Sequence, residues 1–390
     1  MVKMANPPLY DLIIAGAGPV GCVLAERAAC ELGWTCLIVE KRPHIGGNCY
    51  DFIHESGLML HRYGPHFFRT TRKDLFDYLS AYTEWIPGHY RVQALYKGEL
   101  FPLPVNLTTL EKFFRCPLTP ETARTMLDRE RVDISNPSNS EEFVLSRLGK
   151  KLYDAFYLGY TLKQWGVHPR ELLPDVCGRL PIRFNRDNRY VDEPIQMMPR
   201  DGYTNMFERM LSHRLIRVLL NSDFLKLRHG LKARKAFVYT GPVDAYFNFC
   251  YGALPWRSLD FEWIELNRRF YQPCVTINYP SESEFRYTRS VEIKHVTGQE
   301  SRSTVISFEY PLNGGDPFYP VPTRSNLAQY SLYKDLADKE TIGNGVYFCG
   351  RLATYRYLNI DQAMEEAFGL LEQLKERDAA GAGTGRCALP

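Results

Sequence analysis

Two short apolar runs with a helix-spaced stretch between them open the chain. Tyr10-Asp11-Leu12-Ile13-Ile14-Ala15 has the composition of a strand buried on both faces of a parallel sheet. Residues 23–29, rich in small side chains, are expected to be helical; Gly33 ends that helix, and residues 35–39 form the second strand. Residues 71–85 and 107–173 read as charged, helix-like segments, broken by turns at Arg115-Cys116-Pro117 and at 135–139. Residues 95–100 read as a hairpin turning on Lys97-Gly98. From 239 to 319 the pattern is strand-like, most clearly at 275–279, 290–293 and 303–308. Residues 345–351 read as a strand ending in a Gly-Arg turn, and 361–374 as an amphipathic helix.

The first strand is followed at once by Gly16-Ala17-Gly18-Pro19-Val20-Gly21, and Glu40 closes the second strand. This is the dinucleotide fingerprint in its strand–turn–helix–strand context. Gly16 permits the tight turn, Gly18 lets backbone approach a pyrophosphate, and Gly21 lets helix and strand pack closely. The helix N-terminus offers free N–H groups to the phosphates, and Glu40 can accept from the adenosine ribose. Gly46-Gly47-Asn48 follows shortly after, a backbone able to pass close to a cofactor, and it favours FAD over NAD. Gly350-Arg351 is expected beside the flavin. The chain ends therefore build one domain, with the middle inserted. The expected fold is α/β, with a discontinuous Rossmann-like FAD-binding domain (1–82, 201–247, 322–378), a helical domain (83–160) and an antiparallel sheet domain (161–200, 248–321). Residues 379–390 read as a flexible tail.

Composition narrows the class. At 390 residues, with 24% charged residues and a net charge of +3, the chain is too balanced for a nucleic-acid binder. It has no apolar run long enough for a membrane span and no signal-peptide layout. Its ten cysteines lack CxxC spacing and several lie in apolar stretches, which reads as reduced thiols of a cytoplasmic protein with no metal site. The 13% aromatic content suits a pocket that stacks flat rings.

Eight further segments make the reading specific. They are Ile45-Gly46-Gly47-Asn48, Tyr63-Gly64-Pro65-His66-Phe67-Phe68, Tyr96-Lys97-Gly98-Glu99-Leu100 and Gly159-Tyr160-Thr161-Leu162-Lys163-Gln164-Trp165-Gly166. Arg179-Leu180-Pro181-Ile182-Arg183-Phe184, Tyr239-Thr240-Gly241-Pro242-Val243-Asp244, Tyr287-Thr288-Arg289 and Gly350-Arg351-Leu352-Ala353 complete them. In order and spacing the chain resembles the bacterial UDP-galactopyranose mutase family. The resemblance implies a homodimeric isomerase that interconverts pyranose and furanose forms of a nucleotide sugar without net redox change. It implies FAD in the reduced state, an adduct of flavin N5 with the sugar, and a reductant, either NAD(P)H or a reductase. A polysaccharide or cell-wall role goes with it. Carried over residue by residue, Arg179 and Arg289 hold the diphosphate, and Tyr190, Tyr319 and Tyr357 complete its cradle. Phe156, Tyr160 and Trp165 match the family's uridine-side aromatics, and core packing is their alternative reading. His66 matches a histidine beside the flavin ring; with Arg69, Arg179 and Arg289 it is expected to be catalytic, as a general base or through its backbone.

Four positions depart from the family pattern. Arg69 stands where a second histidine is usual, Val191 replaces a uracil-packing aromatic, and Asn359 replaces an aspartate. Arg91 adds a cation in the loop His89-Tyr90-Arg91. These put the substrate in question: UDP-galactopyranose is the default, and UDP-N-acetylgalactosamine or a dTDP- or GDP-linked hexose is the alternative. A flavin oxidoreductase of the amine-oxidase type is more distant; it calls for an apolar tunnel without paired arginines.

Overall fold

The structure, a computed structural model, describes residues 9–381 and the backbone of Cys387–Ala388. A parallel sheet grows outward from β1 (Tyr10–Ala15). β2 (Cys36–Val39) pairs on one side of it and Lys232–Tyr239 on the other. Ile216–Leu219 extends the sheet beyond β2, and Val346–Phe348 extends it beyond Lys232–Tyr239. Leu12, Ile13 and Ile14 are each at most 1% exposed, which explains why β1 is apolar without alternation. Fully burying such a side chain contributes about 1.5–3 kcal/mol.

α1 (Pro19–Leu32) carries the chain from β1 to β2 and stops at Gly33, which is left-handed at φ 66°. Its buried positions are mostly small: Gly21, Cys22, Ala25, Ala28 and Ala29. The last long helix, Ile360–Ala379, packs against it. The backbone of Cys387–Ala388 pairs antiparallel with Lys232 and Ala233. The rest of the expected flexible tail beyond residue 381, like residues 1–8, lies outside the described residues.

A second, seven-stranded sheet faces the first domain. Its order is Tyr319–Pro320, Trp256–Leu266, Thr304–Asn313, Arg289–Val291, Thr276–Asn278, Val92–Tyr96 and Glu99–Leu103. All neighbours are antiparallel except Thr276–Asn278 with Val92–Tyr96, which run parallel. The hairpin around Lys97 and Gly98, both at positive φ, therefore belongs to this sheet, although the stretch 83–160 reads as mainly helical. Helices do follow, at Leu107–Phe114, Pro120–Glu130, Ser140–Leu152 and Gly159–Trp165. The helix expected at 71–85 is shorter. It spans Lys73–Leu79, and Trp85–Pro87 turns into a strand paired with Ile195–Pro199. Phe68–Thr70 pairs on the other side of Ile195–Pro199, which places Arg69 opposite Gln196.

Candidate active site

The crevice at the carboxyl ends of the parallel strands holds a cavity of about 350 Å³. Gly16 (φ 107°) makes the turn out of β1, where an added Cβ would lie 2.1 Å from Thr240 Oγ1. Gly18 lies beside Gly47: a Cβ on Gly47 would come within 2.9 Å of the Gly18 Cα. Gly46 is held there by its N–H, which donates to the Ala17 carbonyl at 2.8 Å. The 46–48 segment thus crosses directly over the glycine turn. Glu40 accepts from the Ala17 N–H and the Arg42 N–H, both at 2.7 Å, which fixes its carboxylate at one end of the cavity. Arg42 also donates to Asn48 Oδ1 at 2.9 Å. At the far end stand His66, Arg351, Asn359 and Ile360. A carboxylate at one end and a backbone cradle at a helix start fit an extended dinucleotide. Of the expected cofactor residues, Gly16, Gly18, Glu40, Gly47, Asn48, Gly350 and Arg351 line this cavity. Gly21 and Gly46 stand behind it and shape it. Asp223 and Phe224 also line it, and no sequence motif marks them.

His66, Arg351, Asn359 and Ile360 line a second cavity as well, of about 140 Å³. Around it gather Arg69, Tyr90, Tyr160, Arg179, Tyr190, Val191, Arg289, Tyr319 and Tyr357. Tyr357 is the electrostatic centre. The Arg179 guanidinium lies 4.4 Å and that of Arg351 5.1 Å from its ring centroid, and Tyr319 stacks on it at 5.6 Å. Burial raises the phenol, but Arg179, Arg351 and Arg289 outweigh it and bring its pKa down to about 8. Burial instead holds Tyr160, Tyr190 and Tyr319 above the usual phenol value. Arg351 is oriented by donating to the carbonyls of Phe318 and Leu358.

Arg289 begins a strand and donates through Nε to Glu309 Oε2 at 2.7 Å. Glu309 is 0% exposed and its Oε1 has no partner. Among the described residues no carboxylate is within ion-pair distance of Arg179, so its charge is unspent in the cavity. Arg69 donates to Glu193 Oε1 and to Asn359 Oδ1, both at 3.0 Å. His66 shares a 2.9 Å hydrogen bond between Nδ1 and the Gly64 carbonyl, which requires the proton on Nδ1 and leaves Nε2 as an acceptor. Burial pushes its pKa down to about 3, so the ring is neutral at pH 7 and a poor general base.

Two expected site residues lie elsewhere. Phe156 is 5% exposed and packs among Tyr96, Phe101 and Phe113 at 5.3–5.6 Å, away from both cavities. Trp165 stands one layer back, against Tyr319 and Tyr357 at 6.2 and 6.4 Å. Arg91 and His89 face solvent, and the residue between them, Tyr90, faces the cavity and stacks on Phe67 at 3.8 Å. Exposure alternates along this segment, which leads into the strand Val92–Tyr96. Phe67 and Tyr90 line the candidate site and Glu309 supports it through Arg289, and no sequence motif assigns them these roles; the period-two pattern of 88–92 is the signal that points to Tyr90.

The comparisons agree with this geometry. A family model described as an NAD(P)-binding Rossmann-like domain matches residues 14–82. The chain is 38% identical over 363 residues to a probable UDP-galactopyranose mutase of Klebsiella pneumoniae, covering 92% of each chain. It is 35% identical to the dTDP-fucopyranose mutase of Escherichia coli, covering 92% of this chain and 97% of that one. A crystal structure of reduced UDP-galactopyranose mutase superposes with a TM-score of 0.72 at 15% identity, over 95% of this chain and 94% of the other. A family model described as UDP-galactopyranose mutase matches residues 155–357, the stretch that carries Tyr160, Arg179, Arg289, Tyr319 and Tyr357, and the chain belongs to that family.

Proposed function

We propose that this protein interconverts the pyranose and furanose forms of a nucleotide sugar, with UDP-galactopyranose as default substrate, on FAD kept reduced by NAD(P)H or a reductase. The observation that carries the reading is the convergence of Arg179, Arg289 and Arg351 with Tyr160, Tyr190, Tyr319 and Tyr357 on a cavity that opens onto the end of the dinucleotide crevice. Reduced FAD, when bound in the crevice, would supply the nucleophile. The chain's part is to hold everything else. Arg179 and Arg289 bind the diphosphate before it leaves and retain it until it returns, as fixed guanidinium forks suit phosphate oxygens. The tyrosine hydroxyls donate to the same oxygens. Phe67 and Tyr90 wall the sugar end against water. An oxidase reading fits poorly, because the cavity is ringed with cations. A homodimer in the cytoplasm and the discontinuous domain division belong to the same reading. The test is chromatography of dithionite-reduced, FAD-loaded protein with UDP-galactopyranose, UDP-N-acetylgalactopyranose and dTDP- and GDP-linked hexoses. A new isomeric peak absent with oxidised enzyme supports the reading; no peak from any of them counts against it.

The alternative is the same chemistry on another nucleotide sugar. It is favoured by Arg69, whose guanidinium bridges Glu193 and Asn359 at the cavity wall and so occupies the Asn359 oxygen. Arg69→His is expected to free Asn359 and shift preference toward UDP-galactose, read as a ratio of kcat/KM values; an unchanged ratio removes Arg69 from the choice of sugar.

Tyr357 gives a pH prediction. Its phenol ionises near pH 8, and the phenolate then competes with the diphosphate for the same three arginines. Nucleotide affinity is therefore expected to fall above pH 8, by at most about tenfold per pH unit, as proton release opposes anion binding. Tyr357→Phe removes that alkaline limb. Calorimetric titration with UDP between pH 7 and 9 measures it; a limb that persists in the phenylalanine variant assigns it to another group.

A further inference from the structure

Gly159–Trp165 is a seven-residue helix that carries Tyr160 into the substrate cavity. Lys163, on the same helix, is not part of the cavity lining, and among the described residues no carboxylate lies within ion-pair distance of it. Its Nζ is met by four backbone carbonyls: Tyr279 at 2.5 Å, Ser281 at 2.8 Å, Phe285 at 3.1 Å and Tyr287 at 3.0 Å. All four come from one loop, which joins the strands Thr276–Asn278 and Arg289–Val291. An ammonium has three N–H donors, so the four oxygens share it, and their dipoles converge on its charge.

Other contacts fasten the same helix to the same loop. Gly159 lies so close that an added Cβ would sit 2.2 Å from the Pro280 carbonyl oxygen. Thr288 donates to Gln164 Oε1 at 3.0 Å. From outside the loop, Arg257 of the strand Trp256–Leu266 donates to the carbonyls of Gln164 and Lys163, at 2.8 and 2.9 Å. The loop ends at Tyr287-Thr288, and Arg289 follows. The Lys163 ammonium is thus the one charge among the contacts that join the helix bearing Tyr160 to the loop leading into Arg289.

We infer that Lys163 is a positioning residue, whose ammonium gathers the 279–287 loop and so sets Arg289 at the right distance from Tyr160 for a nucleotide diphosphate held between them. The inference rests on the proposed function above. Without the charge, four carbonyls face one another with no donor, and the loop relaxes outward. A displacement of about 1 Å in a group that holds a reacting diphosphate costs roughly 100-fold in rate.

The experiment compares the FAD-loaded, reduced full chain with Lys163→Met and Lys163→Ala, reading FAD content, UDP affinity, kcat and KM. Lys163→Met is expected to keep its FAD, since the cofactor crevice lies elsewhere, and to lose about 100-fold in kcat/KM, with KM raised and kcat lowered. Ethylammonium added to Lys163→Ala is expected to enter the carbonyl cage and restore turnover. A Lys163→Met protein within about twofold of the unaltered chain overturns the inference. So does a failure of ethylammonium to restore turnover, whatever it does to the melting temperature. If Lys163→Met does not fold, Gly159→Ala tests the same joint by pushing the Pro280 carbonyl away; a folded and fully active Gly159→Ala also overturns it. UDP affinity separates the two readings: an unaltered chain that binds UDP but isomerises no nucleotide sugar defeats the proposed function, while loss of UDP affinity in Lys163→Met still reports the joint.

Discussion

Arg289→Ala is expected to lose about 10²–10³-fold in turnover while its FAD remains bound, because it removes a preorganised cation from the departing diphosphate. The same change strips the partner from Glu309, which is 0% exposed and whose second oxygen already lacks a donor. Breaking a buried pair on one side costs about 3–5 kcal/mol, so the variant also melts lower. Burial raises the Glu309 carboxyl above its ordinary pKa, and Arg289 is the group that opposes this. A raised carboxyl pKa means the fold holds the proton more tightly than the unfolded chain. Stability in the alanine variant is therefore expected to fall as pH rises through that folded pKa, and to recover below it. Arg289→Ala combined with Glu309→Gln separates the effects: melting temperature should return, and turnover should not. Full activity in Arg289→Ala would falsify the assignment of Arg289 to the diphosphate.

The second large effect concerns three glycines at and around the turn after β1. A Cβ on Gly18 would meet its nearest protein atom, the Gly47 Cα, at 3.9 Å, an ordinary contact. Gly18 nevertheless borders the cofactor cavity. Gly18→Ala is expected to fold normally and to weaken FAD binding roughly 10- to 100-fold, as overpacking costs about 1–3 kcal/mol and falls here on the ligand. A Cβ on Gly21 would sit 2.0 Å from the Gly16 carbonyl oxygen, so Gly21→Ala is expected to force α1 from β1 and lower stability with or without cofactor. Gly47→Ala joins a positive φ of 56° to a 2.9 Å approach on Gly18 and is expected to lose both FAD and stability. Flavin absorbance per protein and the melting temperature of stripped protein measure the two effects apart. A Gly18→Ala protein that purifies fully yellow would contradict the placing of the pyrophosphate.

Much of the first sixty residues was legible because their signals are local. The run from Tyr10 to Ala15, the glycine turn and Glu40 lie within one βαβ unit, and each needs only its neighbours to make sense. The Lys97-Gly98 turn was legible for the same reason. Arg179, Arg289, Tyr190, Tyr319 and Tyr357 were reached only through the family resemblance, since nothing in their spacing says that they meet. Glu309 shows the limit most clearly: as one acidic residue in a strand, it reads as an exposed position until its cross-strand partner Arg289 is known. Phe156 shows the converse. Its spacing from Tyr160 fits one helix face, yet the chain there runs through a wider turn at Tyr153–Leu158, and the ring joins the core.

The parallel sheet has a consequence for how the protein is made. Its strands come from residues 10–15, 36–39, 216–219, 232–239 and 346–348, so neighbours in space are synthesised far apart in time. Lys232–Tyr239 cannot pair with β1 until more than half the chain has left the ribosome, and its other edge waits for Val346–Phe348. At about 5–20 residues per second the β1–α1–β2 unit spends several seconds or more with both edges unpaired, until Ile216–Leu219 and then Lys232–Tyr239 arrive. The turn that cradles the cofactor is among the first parts translated, and Gly350 and Arg351 on its opposite wall are among the last. With FAD as the proposed cofactor, a product truncated before residue 345 should emerge colourless and prone to associate through the open edge of Lys232–Tyr239.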